Sequence, residues 1–331
     1  MRIVVATPYK IANYGAMLQA WALKTKLERL GHSVCYLNCR YLWPGVWPVS
    51  RLLRSRSIAG FFSKIQMNKM MRRCIKDLGT LPETRAYDSA DELVADPPDC
   101  DCMISGSDQI FHELYFSNRN RYIPVLLGFG SPKIKKFVYG ASFGTNEANF
   151  IVPDAVKEML LEIKSISVRE TSGCRILKQK FGIDGFWVPD PTFLLEESDY
   201  VDFFHLTKLS KQKYIAVYTL GFDRLRKLRD STIAKVKRIY GCEEVHILSA
   251  GISLSGWLNE IRNATCVVTN SFHGHCFARL FDVPYELLEF DGKDSWRNER
   301  NRDLEGVLKQ KSIDELREIG CSMLQRFLSQ A

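Results

Sequence analysis

The chain has 331 residues, of which 46% are hydrophobic and 25% charged, and it carries a formal net charge of +8. This composition is typical of a globular protein and excludes long disordered tracts, while a length of about two ordinary domains favours a two-domain fold. No apolar run reaches the roughly 18 residues of a membrane span, and the residues before Pro8 are too few for a signal peptide, so we expect a cytoplasmic protein. The ten cysteines include no CxxC pair, so we expect neither a metal site nor a disulfide framework.

The first strand, helix and strand of the chain form one predicted unit. An apolar run at residues 3–6 predicts a buried strand, a helical pattern follows at 15–30, and a second strand follows at 33–37. Asn13, Tyr14 and Gly15 occupy the loop between the first strand and the helix, where we predict ligand contacts. Because the chain lacks both G-x-G-x-x-G spacing here and a P-loop motif, we expect neither a dinucleotide site nor a P-loop nucleotidase.

Residues 51–76 form a basic segment with eight lysine or arginine side chains and no aspartate or glutamate. Aromatic and aliphatic residues are interleaved with these cations. Three interpretations remain open: a solvated helix face, contact with an anionic membrane surface, and a sleeve for an anionic substrate. No motif of nucleic-acid recognition accompanies the charge, so we expect no nucleic-acid partner.

Eight further apolar runs predict strands that alternate with helical patterns. They lie at residues 102–105, 137–139, 165–168, 185–188, 214–218, 244–248, 266–269 and 284–288. This alternation is typical of parallel sheets, whose ligands bind beyond the carboxyl ends of the strands. The predicted fold class is therefore α/β, with two Rossmann-like doubly wound domains that face a cleft.

The predicted domain boundary lies where Pro189 and Pro191 flank Asp190, because this stiff segment cannot continue a helix. We expect a first domain at residues 1–190 and a second at residues 191–331. The amphipathic pattern at 313–328 predicts a final helix that packs back across the junction.

Polar residues follow two strands of the first predicted domain. Asp108 and Gln109 come after the strand at 102–105 and are predicted to bind sugar hydroxyl groups; Asp108 alternatively caps the next helix. Ser142 lies in a turn of small residues after the strand at 137–139, where the backbone can approach a ligand closely.

Arg169 ends the strand at 165–168. Its planar guanidinium suits a carboxylate or a phosphate and remains charged at any working pH. The alternative is an ordinary ion pair with Glu170 or Asp190.

His273 and its neighbours form the strongest motif. The strand at 266–269 is followed by Ser271, His273 and Gly274 and then by a helical pattern. A helix N-terminus offers free backbone N–H groups to an anion, and a histidine there can act as an acid or a base near neutral pH. We therefore predict a functional role for His273, whereas a structural role is favoured for His275.

A basic loop at residues 290–302 follows the last predicted strand. Lys293, Arg297 and Arg300 are its candidate anion ligands, and a solvated loop is the alternative.

Taken in order, these motifs resemble the polysaccharide pyruvyltransferase family. The matching stretches span residues 13–20, 106–109, 140–144, 167–170, 190–192 and 269–274. The resemblance implies a glycosyltransferase-B-like fold with two Rossmann-like domains facing a cleft. It also implies phosphoenolpyruvate as the donor and, as the acceptor, a sugar of a cell-surface polysaccharide or its lipid-linked precursor.

The resemblance further implies roles for individual residues. His273 corresponds to the family's catalytic histidine, Arg169 to its donor-binding arginine, and Lys293 to a further donor-binding lysine. Some members carry a basic residue where this chain has Ser271, so Arg297 or Arg300 is expected to supply that charge.

The remaining site residues fall on either side of the predicted cleft. Ser271 and Gly274 are assigned to the donor. The acceptor side is assigned to Asn13, Tyr14, Gly15, Asp108, Gln109 and Ser142.

The expected reaction transfers an enolpyruvyl unit to a sugar, closes it into a pyruvate ketal and releases phosphate, without a cofactor or a metal ion. Segment 51–76 is the candidate contact with the inner face of the membrane. Two other functions stay open: a nucleotide-sugar glycosyltransferase of polysaccharide biosynthesis, and a non-catalytic subunit of a polysaccharide assembly complex.

Overall fold

The protein contains two parallel sheets with helices packed around them. The computed structural model describes residues 1–47, 57–145, 152–208, 213–221, 225–249, 251–290, 295 and 298–330. The strands are β1 (Arg2–Ala6), β2 (Ser33–Tyr36), β3 (Cys102–Ser105), β4 (Lys135–Ala141), β5 (Ser165–Val168), β6 (Phe186–Trp187), β7 (Tyr214–Tyr218), β8 (Glu244–Ile247), β9 (Cys266–Thr269) and β10 (Tyr285–Leu287). Each of the ten predicted strands overlaps one of these.

The helices alternate with the strands along most of the chain. They are α1 (Tyr14–Arg29), α2 (Ile58–Leu78), α3 (Ala90–Ala95), α4 (Glu113–Phe116), α5 (Arg119–Val125), α6 (Asp154–Glu162), α7 (Thr171–Ile176), α8 (Glu197–Phe204), α9 (Arg226–Tyr240), α10 (Leu254–Arg262), α11 (Phe272–Leu280), α12 (Glu299–Leu308) and α13 (Ile313–Ser329). A π-helical turn at Leu177–Phe181 continues α7, and a 3₁₀ turn lies at Pro191–Leu194. None of the described helices combines the length and the apolarity that crossing a bilayer requires.

The strand order is β2-β1-β3-β4-β5-β6 in the first sheet and β10-β9-β7-β8 in the second. Every pairing between the described strands is parallel. Central strands such as β3 and β9 are buried along their whole length, because helices cover both faces of the sheet. The α/β fold class predicted from the sequence is therefore confirmed.

The chain passes from the first sheet to the second between Trp187 and Tyr214. The proposed domain boundary at residue 190 falls in this interval. Helix α13 lies at the end of the chain, yet its Leu324 and Phe327 belong to the core of the first sheet. Phe327 stacks on Phe137 of β4 at 4.9 Å between ring centroids.

Helix α1 joins the two halves. Its Tyr14 ring stacks on Trp257 of α10 at 5.4 Å, and the Tyr14 hydroxyl donates a hydrogen bond to the Ile252 carbonyl at 3.1 Å. Met17 and Trp21, on the same helix, are buried in the core that covers the second sheet. The start of α1 is thus held against the second half by apolar burial, which fixes its position relative to the residues that follow β9.

Candidate active site

The carboxyl ends of β3, β4 and β5 lie side by side and carry the polar residues of the first half. The loop after β3 is bound to the end of β4, because the Ser142 N–H donates to the Asp108 carbonyl at 2.9 Å and the Phe111 N–H donates to the Ser142 carbonyl at 3.1 Å. Arg169 follows β5 directly, and its N–H donates to the Ala141 carbonyl at 3.1 Å. Three strand ends therefore form one polar edge.

Asp108 has a left-handed backbone conformation, with φ at 72°. Such values are uncommon for residues other than glycine, although aspartate tolerates them better than most, and they concentrate at functional sites. Its side chain is held toward Arg169, since Nη2 of Arg169 donates to Oδ1 of Asp108 at 3.3 Å.

The second half contributes the segment between β9 and α11. Ser271 caps α11, because its Oγ accepts the Gly274 N–H at 3.3 Å. Asn270 ties this segment to the loop after β7 through two hydrogen bonds of 2.8 Å with the backbone of Leu220. His273 lies in the first turn of α11, so these hydrogen bonds at the end of β9 hold its backbone in place.

A cavity of about 280 Å³ lies where the two halves meet. Its walls come from both halves. They are formed by Pro8, Ile11, Asn13, Asp108, Gln109, His112, Leu114, Tyr115, Leu220, Ser271, Phe272, His273 and Arg300. Clefts between domains with a few convergent polar groups are the usual place for an active site.

The capping residues of two helices line this cavity. Asn13 caps α1, its Oδ1 accepting the Ala16 N–H at 3.2 Å, and Ser271 caps α11. Both capping residues line the cavity. Because the first N–H groups of a helix lack partners within the helix and the dipole is positive at this end, two converging N-termini favour an anionic ligand.

Gly15 of α1 lies directly against the His273 ring. A Cβ atom on Gly15 would come within 2.1 Å of both Cγ and Nδ1 of His273. Real Cβ atoms do not approach other atoms this closely, so the contact between the two halves requires a glycine at this position.

Arg169 is fully buried among three carboxylates. Its guanidinium donates to Asp190 at 2.6 Å, to Asp108 at 3.3 Å and to Glu170 at 3.4 Å, and its central carbon lies 4.4 Å from the centre of the Phe272 ring. Burial opposes the charge, but the three acidic neighbours raise the pKa of Arg169 above its ordinary value. Its nitrogens are already satisfied by protein groups.

Asp190 links Arg169 to the histidine. Oδ2 of Asp190 lies 3.6 Å from Nε2 of His273, and Oδ1 accepts the Thr192 N–H at 3.0 Å. Burial acts to raise the pKa of Asp190, but His273, Arg169 and the Thr192 N–H outweigh it and hold that pKa well below its usual value. The buried Asp190 carboxylate is therefore ionised and faces the imidazole.

Arg300 places a cation on the cavity wall. With the Gln109 amide oxygen turned toward it, Gln109 accepts from the two terminal nitrogens of Arg300 at 2.8 and 3.2 Å. Burial and the nearby charge of Arg169 lower the pKa of Arg300 to about 10, so it remains protonated at neutral pH.

The structure brings Arg169 and His273 together, with Nη1 of Arg169 3.5 Å from Nε2 of His273. It also places six predicted residues on the cavity wall. These are Asn13, Asp108, Gln109, Ser271, His273 and Arg300.

Other predicted residues lie behind the wall. Arg169 has no exposed side chain and is occupied by carboxylates, which differs from the expected direct contact with the donor. Tyr14 and Ser142 are buried against protein, Gly15 contacts His273, and the Gly274 N–H is taken by Ser271. These five residues therefore pack behind the cavity wall and do not line the cavity themselves.

Lys293 and Arg297 lie outside the described residues, as do residues 51–56 of the basic segment. His112 and Tyr115 also line the cavity, although no sequence motif pointed to them. His112 follows Gln109 by three residues in the same loop, which was the available signal.

Comparisons with known proteins agree with this architecture. The family model for polysaccharide pyruvyl transferase matches residues 13–284. No curated protein sequence matches the chain.

Solved structures match over the whole chain at low sequence identity. The UDP-GlcNAc 2-epimerase from Methanocaldococcus jannaschii is 11% identical, with a TM-score of 0.52 over 100% of this chain and 99% of that chain. S. aureus MnaA, solved with UDP, is 8% identical, with a TM-score of 0.50 over 99% and 95%. The spinosyn rhamnosyltransferase SpnG is 11% identical, with a TM-score of 0.45 over 99% and 100%. The protein has a glycosyltransferase-B-like fold.

Proposed function

Because this chain belongs to the polysaccharide pyruvyl transferase family, we propose that it transfers an enolpyruvyl unit from phosphoenolpyruvate to a sugar and closes it into a pyruvate ketal. One observation supports this most strongly. His273, backed by the ionised Asp190, lies in a single cavity with two helix N-termini and Arg300. That combination suits proton transfer to a small and strongly anionic molecule.

The donor needs a binding site for two anionic groups, a carboxylate and a phosphate. We assign these groups to Arg300 and to the N-termini of α1 and α11, since these elements reach the cavity. Each charge-assisted hydrogen bond contributes about 1.5–3 kcal/mol to binding. Lys293 and Arg297 are retained as proposed further donor ligands, to be tested by substitution to alanine.

His273 is proposed to transfer the protons. Its Nε2 lies 3.6 Å from Asp190 and 3.5 Å from Arg169, Gly15 packs against the Nδ1 side of the ring, and the side chain lines the cavity. A histidine in such a position can donate a proton as a general acid and accept one as a general base. Arg169 anchors Asp190 and is a positioning residue in this scheme.

The proposed reaction begins at the alkene of phosphoenolpyruvate. A proton from His273 adds to the methylene carbon of phosphoenolpyruvate, and a sugar hydroxyl oxygen bonds to the carbon that carries the phosphate. The bond between that carbon and the phosphate oxygen breaks, and phosphate leaves with its electron pair. A second hydroxyl of the sugar then bonds to the same carbon and closes the ketal, and the two hydroxyl protons pass to His273 and to phosphate.

Release of phosphate tests the proposal. Purified protein is incubated with phosphoenolpyruvate and a panel of galactosides and N-acetylhexosaminides, and inorganic phosphate is measured. We expect release that depends on the acceptor and that His273→Ala lowers by at least about 100-fold. Turnover of a UDP-sugar instead of phosphoenolpyruvate would establish the glycosyltransferase alternative, and binding without turnover would favour the non-catalytic subunit.

The acceptor is proposed to be carried by a lipid. A second cavity of about 220 Å³ is lined mostly by apolar side chains, including Leu42, Trp47, Met67 and Met71, and it shares Ile11 with the main cavity. An apolar chain that occupies it would place an attached sugar at the adjacent site. Filling this cavity with Met67→Trp should weaken turnover of a lipid-linked acceptor and leave turnover of a free methyl glycoside unchanged.

Contact with the inner face of the membrane is proposed through α2. Lys69, Arg72 and Lys76 are exposed on this helix, and the Phe62 side chain is 60% exposed. Each cation near an anionic bilayer contributes about 1 kcal/mol, so reversing these three charges should weaken binding to phosphatidylserine vesicles by on the order of 100-fold or more. Equal sedimentation of wild type with neutral and anionic vesicles would contradict this contact.

A further inference from the structure

One wall of the main cavity comes from the short stretch that follows β3. Asp108, Gln109, His112, Leu114 and Tyr115 all line the cavity. These residues lie within eight positions of one another and belong to the first half of the chain, opposite Ser271 and His273. The wall therefore carries one imidazole of its own, besides His273.

The hydrogen bonding of His112 fixes which ring nitrogen carries the proton. The Leu114 N–H donates to Nδ1 of His112 at 3.2 Å, so Nδ1 must be the unprotonated nitrogen. In the neutral ring the hydrogen is then on Nε2. The Cδ2 edge of the ring faces Gly144, where a Cβ atom would approach it to 3.3 Å, so the backbone on this side restricts ring movement.

His112 is held neutral. Burial lowers its pKa, the charge of Arg300 lowers it further, and the charge of Glu113 opposes both. Protonation would also place a second N–H against the Leu114 N–H, because an imidazolium donates from both nitrogens. The ring is therefore a neutral hydrogen-bond donor at neutral pH.

The Nε2–H group of His112 has no hydrogen-bond partner within the part of the chain that the structure describes. Half-buried donors at a cavity wall are completed by water or by a ligand oxygen. The same cavity is lined by Gln109, which offers an amide, and by Tyr115 and Leu114, which offer apolar surface for the C–H face of a sugar ring. A neutral donor between such groups suits a hydroxyl or ring oxygen better than a phosphate.

We infer that His112 donates a hydrogen bond from Nε2 to an oxygen of the acceptor sugar and is a specificity-determining residue for the acceptor. This inference rests on the proposed function, because it assigns the acceptor to a wall of the same cavity.

Two substitutions of His112 test the roles of its two ring nitrogens separately. In His112→Asn, the side-chain oxygen takes the place of Nδ1 and keeps the cap on Leu114, but the donor into the cavity is lost. In His112→Gln, the amide nitrogen reaches the position of Nε2 and keeps the donor, but the cap is lost. A merely structural role of His112 predicts that the asparagine variant behaves like wild type and that the glutamine variant does not.

The inference predicts the opposite order. His112→Asn should raise the KM for the acceptor by about tenfold, with the melting temperature and the KM for phosphoenolpyruvate unchanged. His112→Gln should recover most of the acceptor KM and melt a few degrees lower. An unchanged acceptor KM in His112→Asn, or equal losses in both variants, would overturn the inference.

A binding measurement distinguishes this inference from the proposed function. The ring ¹⁵N resonances of His112 are followed in the full-length protein while methyl β-galactoside or methyl N-acetyl-β-glucosaminide is added. We expect the Nε2–H tautomer throughout and a shift of the Nε2 resonance with one of these sugars. A shift without phosphate release from phosphoenolpyruvate would support the sugar contact and refute the reaction; turnover without any shift would refute the contact alone.

Discussion

Replacing Gly15 by alanine tests the contact between the two halves. The added Cβ would lie 2.1 Å from Cγ and Nδ1 of His273, whereas ordinary contacts lie at about 3.5 Å. The His273 ring or the start of α1 must therefore move by more than about 1 Å. Because a misplacement of 1 Å in a catalytic group can cost about 100-fold in rate, we expect Gly15→Ala to lower kcat by this factor.

Stability should change much less than activity in this variant. Overpacking costs about 1–3 kcal/mol, but alanine in a helix is favoured over glycine by about 1 kcal/mol. The expected net loss is therefore at most about 2 kcal/mol, measured by urea unfolding. Gly256→Ala is the matched control, since this glycine also lies in the first turn of a helix and its added Cβ would meet only ordinary contacts, the nearest at 3.4 Å.

The assay is phosphate release at saturating phosphoenolpyruvate and acceptor, with both variants also made in the His273→Ala background. Gly15→Ala should have little further effect once the imidazole is gone, because the two residues act through the same contact. A Gly15→Ala protein with the kcat of wild type, or one equally impaired with and without His273, would show that this contact does not position the imidazole.

Three further predictions concern the charges of the site. Arg300→Ala should raise the KM for phosphoenolpyruvate by about 10- to 100-fold with an unchanged melting temperature, whereas Arg302→Ala, whose side chain pairs with Glu289 on the surface, should change neither. Arg169→Met should instead lower the free energy of unfolding by about 3–5 kcal/mol, because it leaves buried carboxylates unpaired; a stable variant with only a higher donor KM would contradict this. Because the pKa of Asp190 is lower in the folded protein than its ordinary value of 3.8, the ionised carboxylate stabilises the fold at pH values above 3.8, and this stabilisation is lost as the pH falls below 3.8. Asp190→Asn should therefore be less stable than wild type at pH 7, with a smaller difference at pH 3.5, measured by urea unfolding.

The strands of the fold could be predicted from the sequence because the patterns that indicate them are local. Strands buried on both faces appear as short continuous apolar runs, and all ten such runs correspond to strands. His273 was predicted for a similar reason. It directly follows an apolar strand and starts a helix, and that local pattern specifies its position at the edge of the sheet.

The sequence left open whether Arg169 contacts the donor or forms an ion pair with Glu170 or Asp190, because Asp108 and Asp190 come from separate segments. Asp108 and Asp190 lie 61 and 21 positions away along the chain. Whether an arginine faces a ligand or a buried carboxylate depends on how these segments meet. The same holds for Gly15, which is fitted to a histidine in the other half.

His112 was missed for a different reason. It lines the cavity from a short loop in which Asp108 has a left-handed backbone, and the sequence does not specify the path of that loop. Residue type and spacing do not specify such a turn.

The most direct test of the account is a single incubation of the protein with phosphoenolpyruvate and a sugar acceptor, followed by NMR of the products and by phosphate measurement. Wild type should form one pyruvate ketal for each phosphate released, and His273→Ala should form both at least about 100-fold more slowly. Ketal formation at the wild-type rate by a folded His273→Ala protein would contradict the central role of this cavity.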